Sequence, residues 1–183
     1  MIGENTKPET KCADFVRCAG ALASKNLDIA MMKFCYVDIT ESTDIRALLS
    51  SYRAAVDSLR KTAPRVRVVH ITAPLAAVTS GWKRVAKTLL GRQDRSAGEN
   101  IRRNLFNALL ADTYRSEPVF DLAAVESTRP DGSRAEFEQD GRKYFALAPE
   151  YTDDGGHLNG AGRAAAARAL IHAATNALRG VHD

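Results

Sequence analysis

Apolar residues change their spacing several times along the chain, and each change marks an element. Residues 1–10 are polar with Gly and Pro and read as loop. In the segment that follows, Phe15, Val16, Ala19 and Leu22 recur at helical spacing, which predicts a short first helix. Ile29 to Val37 is then a nearly continuous apolar run. It is short and lacks clean alternation, as expected of a strand buried on both faces of a parallel sheet. Ile45, Leu48, Leu49, Tyr52, Ala55, Val56 and Leu59 form one stripe, with Ser42, Thr43 and Asp44 as N-cap candidates and Pro64 as the stop. "RVRVVHITAP" is a second strand, so strand–helix–strand reads as a βαβ unit.

Further on, "GWKRVAKTLLGR" suggests a short amphipathic helix inside a long excursion. Ser96 and Glu99 have capping-box spacing before a helix that carries Ile101, Leu105, Ala108 and Leu109 on one face. "PVFDLAAVE" reads as a third strand. "AEFEQDGRKYFAL" reads as a β-hairpin about an Asp-Gly turn, near 134–147. The Ala-rich segment from Asn159 to Gly180 is a last helix. The expected fold is α/β, a three-layer α/β/α sandwich with a parallel sheet, in one domain over 1–183.

Composition narrows the function classes. The 183 residues are 45% hydrophobic and 26% charged, with a net charge of +4. Basic residues concentrate between Lys83 and Arg103, but Trp82 is the only aromatic beside them, so no base-stacking platform is suggested and no nucleic-acid partner is expected. No segment approaches the length needed to span a bilayer, and the polar N-terminus is not a signal peptide, so the chain as written is expected in the cytoplasm with no membrane partner, or exported if an N-terminal segment is missing. Cys12, Cys18 and Cys35 form neither a CxxC nor a Cys/His cluster. No metal and no cofactor are expected.

Chemistry gathers in one short stretch, "YTDDGGHLNGAGR". Open α/β sheets place their sites at the carboxyl ends of strands, and the loop before the last helix lies there. Asp154 precedes His157 by three residues on a loop turned by Gly155 and Gly156. Its carboxylate can meet Nδ1 and leave Nε2 facing outward as a general base, while Asn159 caps the helix behind. Asp and Gly before a helix are also ordinary capping chemistry, so spacing alone leaves both readings open. His70 in a strand, His172 in the last helix and His182 in the tail have no such setting. Asp38, Asp121 and Glu126 also follow strands.

"DGGHLNGAGR" resembles the last signature block of the SGNH (GDSL-type) hydrolases, a family with a flavodoxin-like α/β/α fold that cleaves esters and acyl groups. The resemblance implies His157 as base and Asp154 as its orienter. The family's G-x-N-D block corresponds to "CYVD": Asp38 matches, Cys35 replaces Gly, and Val37 replaces the Asn that donates to the oxyanion hole. Gly3 is the counterpart of the oxyanion glycine, with Asn5 close by. No Ser stands in the nucleophile block, so this chain by itself is expected to show no appreciable esterase activity. In the flavodoxin-like order 2-1-3-4-5 the three strands read here are the third to fifth. The chain is therefore expected to be the C-terminal part of a longer SGNH-like protein. Strand 29–37 is then an open edge through which an oligomer can form. Cys35 is a second candidate nucleophile. The substrate implied is a small-molecule or carbohydrate ester. The alternative is a non-catalytic α/β module that binds a carbohydrate or a protein partner.

Overall fold

The structure, a computed structural model, describes residues 2–78 and 96–180. The helix expected at "GWKRVAKTLLGR", Ser80, Trp82, most of the basic segment from Lys83 and the tail residue His182 lie outside the described residues.

Helix α1 (Pro8–Ala23) leads into β1 (Ile29–Met32), α2 (Ile45–Thr62), β2 (Arg67–Ile71), α3 (Ser96–Thr113) and β3 (Val119–Phe120). Helix α4 (Leu122–Ser127), the hairpin β4 (Glu136–Gln139) and β5 (Arg142–Phe145), and α5 (Gly160–Arg179) complete the order. The main sheet is parallel in the order β1-β2-β3, with Met32 beside His70 and Ile71 beside Phe120. This is the α/β architecture expected from the sequence.

Each face of the sheet has its own core. Ala30, Met32 and Val68 pack with α1, α2 and α3, the last contributing Phe106 and Leu110, with Tyr114 just beyond its end. Val69, Ile71 and Phe120 pack against α5 through Ala169, Leu170, Ala173 and Ala177. Successive valines of β2 thus enter different cores, which is why the strand shows no polar alternation. All seven residues of the α2 stripe are buried, and Asp44 caps that helix by accepting from the Arg46 and Ala47 N–H groups. Burial of side chains of the Leu and Val class is worth roughly 1.5–3 kcal/mol each, so α2 anchors the first core.

Three elements differ from the sequence reading. The first strand stops at Met32, and Tyr36–Asp38 instead form a 3₁₀ turn held by Asp38, whose carboxylate accepts the Cys35 N–H at 2.6 Å. The third strand is two residues long. "DLAAVE" is helical because Asp121 accepts the Ala124 N–H and caps a new helix. Helix α3 is rotated from the expected face: Leu105 is exposed, Leu109 packs only partly buried against the core, and the buried face carries Asn100, Arg103, Phe106, Asn107 and Leu110. Glu99 of the expected capping box has its carboxylate at Arg103 Nη2, 2.8 Å away.

The hairpin forms where expected. Asp140 and Gly141 both adopt positive φ, 51° and 71°, as a tight two-residue turn requires. Among the described residues β1 pairs only with β2, leaving its other edge open. No helix among the described residues is long and apolar enough to cross a membrane.

Candidate acid–base site

The loop before α5 lies over a small apolar floor of Leu75, Ala123 and Leu147, against which Ala77, Tyr151 and Leu158 pack. Asn159 begins α5 by accepting from the Ala161 and Gly162 N–H groups, both at 3.1 Å. Its amide nitrogen reaches back to the Glu150 carbonyl. Gly162 lets the first helical turn sit against Tyr151, since a Cβ there would lie 2.7 Å from the Tyr151 carbonyl oxygen. The Ala77 N–H donates to the Gly155 carbonyl at 2.8 Å, tying this loop to the one that follows β2. Gly155 has φ +86°, a conformation that favours glycine.

Within this frame Asp154 curls onto His157. Its Oδ2 lies 2.6 Å from Nδ1, and its Oδ1 accepts the Gly156 and His157 N–H groups at 2.8 and 2.7 Å. Those two backbone donors, and after them the imidazole, hold the Asp154 carboxyl well below the usual carboxylate range. An ionised carboxylate only accepts, so Nδ1 carries the proton, and in the neutral imidazole the free lone pair is on Nε2. Asp153 is turned aside toward the Asn159 amide at 3.4 Å. The His157 side chain is 73% exposed, and no hydroxyl or thiol among the described residues bonds to it.

Tyr36 braces the imidazole. Its ring meets that of His157 edge-on at 5.5 Å, and Gly156 lies so close that a Cβ would come within 2.9 Å of the phenol. Beneath it the buried Arg103 donates Nε–H to the Tyr36 carbonyl at 2.9 Å. Arg103 also reaches Asn100 and Glu99. Asn100 and Asn107 each pair with the backbone N–H and C=O of one residue in the loop after β2, Ala76 and Ala73 respectively. Asn104 does the same with Phe145. Glu126, nearly all buried, accepts the Leu75 N–H at 2.7 Å. Burial pushes its carboxyl up to about 7.

The remaining residues singled out in the sequence lie elsewhere or are engaged. Asp38 is buried and accepts from Lys11 Nζ at 2.5 Å, Thr6 N–H at 2.9 Å and Cys35 N–H, so it pins the N-terminal loop to the end of β1. The Asn5 side chain accepts from the same Lys11 ammonium. The Gly3 N–H, the donor that an oxyanion role would use, is given to Asp14 Oδ2 at 2.9 Å. Cys35 accepts the Asp38 N–H in its turn and makes no hydrogen bond to His157. Cys12 is buried, and burial raises its thiol to about 11. Among the described residues no cluster of three metal-ligating side chains occurs.

Tyr36, Arg103 and the asparagines were not singled out as site residues from the sequence. The Asn signal was present: Asn100, Asn104 and Asn107 recur at helical spacing.

No protein-family model matches the chain, and no curated protein matches it. Solved structures do. A Streptococcus pneumonia protein provisionally named a platelet activating factor superposes with a TM-score of 0.54 at 17% identity, over 84% of this chain and 66% of that one. A Bacteroides fragilis protein provisionally named an acylhydrolase gives 0.54 at 17%, over 91% of this chain and 71% of that one. The chain thus spans just under two thirds of the first. The OSK domain of Drosophila Oskar gives 0.42 at 12% identity, over 79% and 61%. At 17% identity the likeness to the first two establishes a shared fold.

Proposed function

We propose that Asp154 and His157 are the acid–base half of an SGNH-type acyl hydrolase site, acting on a small-molecule or carbohydrate ester. The carrying observation is the 2.6 Å contact between Asp154 Oδ2 and His157 Nδ1, on a loop fixed to the loop after β2 and to the start of α5. The fold shared with the Bacteroides fragilis protein supports the reading.

The nucleophile is a Ser hydroxyl supplied by residues outside those described. His157 Nε2 takes its proton as Oγ bonds to the acyl carbon. The resulting imidazolium is held by Asp154 and protonates the departing alkoxide as the ester bond breaks. Water then repeats the sequence on the acyl-enzyme, releasing the acid and restoring the hydroxyl. Asp154 orients and stabilises without taking a proton. Val37 has no side-chain donor and the Gly3 N–H is engaged by Asp14, so neither of these two positions supplies an oxyanion donor. Loss of one such donor costs about a hundred- to a thousandfold in rate.

A second reading, a non-catalytic module for a carbohydrate or protein partner, draws support from the open edge of β1 and from the lack of a hydroxyl on His157 among the described residues. Labelling with a serine-directed fluorophosphonate separates the two. The native protein from its source cells is expected to take the label, and the His157→Ala form to lose it. A native protein that stays unlabelled supports the binding module.

A further inference from the structure

A groove of about 800 Å³ runs between α4 and the first half of α5. Helix α5 presents Ala161, Ala165 and Arg168 to it, residues four and then three apart on one face. Val125 and Tyr151 complete the apolar wall, and Arg129 enters from the loop after α4. The wall carries methyl groups and ring edges, suited to an unbranched hydrocarbon.

The polar end of the groove lacks a counterpart. Arg129 Nε is buried and has no hydrogen-bond partner. Neither Arg129 nor Arg168 pairs through its guanidinium with any described residue. Asp131 is near enough to feel the charge of Arg129, but its carboxylate accepts from Ser133 N–H and Oγ instead. Nε alone of the Arg129 nitrogens is closed to solvent, so a carboxylate or phosphate head would meet the terminal nitrogens, whose planar fork fits it.

We propose that this groove binds a monomeric anionic amphiphile, with a carboxylate or phosphate head on Arg129 and Arg168 and its tail along Val125, Ala161 and Ala165. The site is distinct from the His157 loop and does not depend on that residue being catalytic. Between them lies Tyr151, whose carbonyl accepts the Asn159 N–H at 2.8 Å.

Titration by two-dimensional NMR below the critical micelle concentration tests this, with decanoate, decyl phosphate, decyl maltoside and inorganic phosphate as probes. Both charged decyl probes are expected to shift the amides of residues 124–129 and 161–168, their relative affinities distinguishing a fatty-acid from a phospholipid type of head. Arg129→Gln and Arg168→Gln are each expected to weaken binding about tenfold, as loss of a charge-assisted hydrogen bond does. Equal binding of decyl maltoside, unchanged affinity in both variants, or inorganic phosphate as tight as decyl phosphate would each overturn the proposal.

Discussion

Glu126 makes the stability of this fold depend on pH in an unusual direction. The carboxyl is buried between α4 and the loop after β2, and its one hydrogen bond among the described residues is from the Leu75 N–H. Desolvation raises its pKa from 4.5 to about 7, against the opposing pull of that N–H, Lys33 and Arg103. An acid with a raised folded-state pKa holds its proton more tightly folded than unfolded. Its contribution is therefore greatest below pH 4.5, declines as pH rises toward 7, and levels off above. At ~1.4 kcal/mol per pKa unit, the total loss is about 3 kcal/mol. Glu126→Gln keeps an oxygen for the Leu75 N–H and removes the titration. Urea unfolding of both proteins from pH 4.5 to 8 measures the effect. The stability of wild type minus that of Glu126→Gln should fall by about 3 kcal/mol over the range. A difference that stays flat, or that rises with pH, refutes the buried-carboxyl account.

Further substitutions test the other supports of the site. Gly156→Ala places a Cβ within 2.9 Å of the Tyr36 ring; it should destabilise by about 1–3 kcal/mol, read by thermal unfolding, and perturb the His157 ring resonances. Asn107→Ala removes the partner of both backbone groups of fully buried Ala73, and should cost about 2–4 kcal/mol in chemical denaturation. Lys11→Met strands the Asp38 carboxylate in the core at about 3–5 kcal/mol, and adding Asp38→Asn should recover part of that loss.

What could be read from the sequence was what is local. The α2 stripe is legible because seven apolar residues meet one core, and the Asp154–His157 geometry because four consecutive residues determine it. Helix α3 misled because its inner face mixes Phe106 and Leu110 with polar side chains. Asn100, Asn107 and Arg103 are buried against backbone groups of distant loops, while Leu105 is left outside, so hydrophobicity points the wrong way. The β3 region misled because Asp121 starts a helix where an apolar run suggested strand. Tyr36 was invisible as a brace because its contact with His157 depends on the parallel sheet bringing two distant loops together.

The central claim is that His157 is a general base oriented by Asp154. Its most direct test is the rate of p-nitrophenyl butyrate hydrolysis by the native protein beside its His157→Ala and Asp154→Asn forms. The account predicts turnover in the native protein, and losses of about a thousandfold or more in both variants with folding intact. Native turnover that survives both substitutions would contradict it.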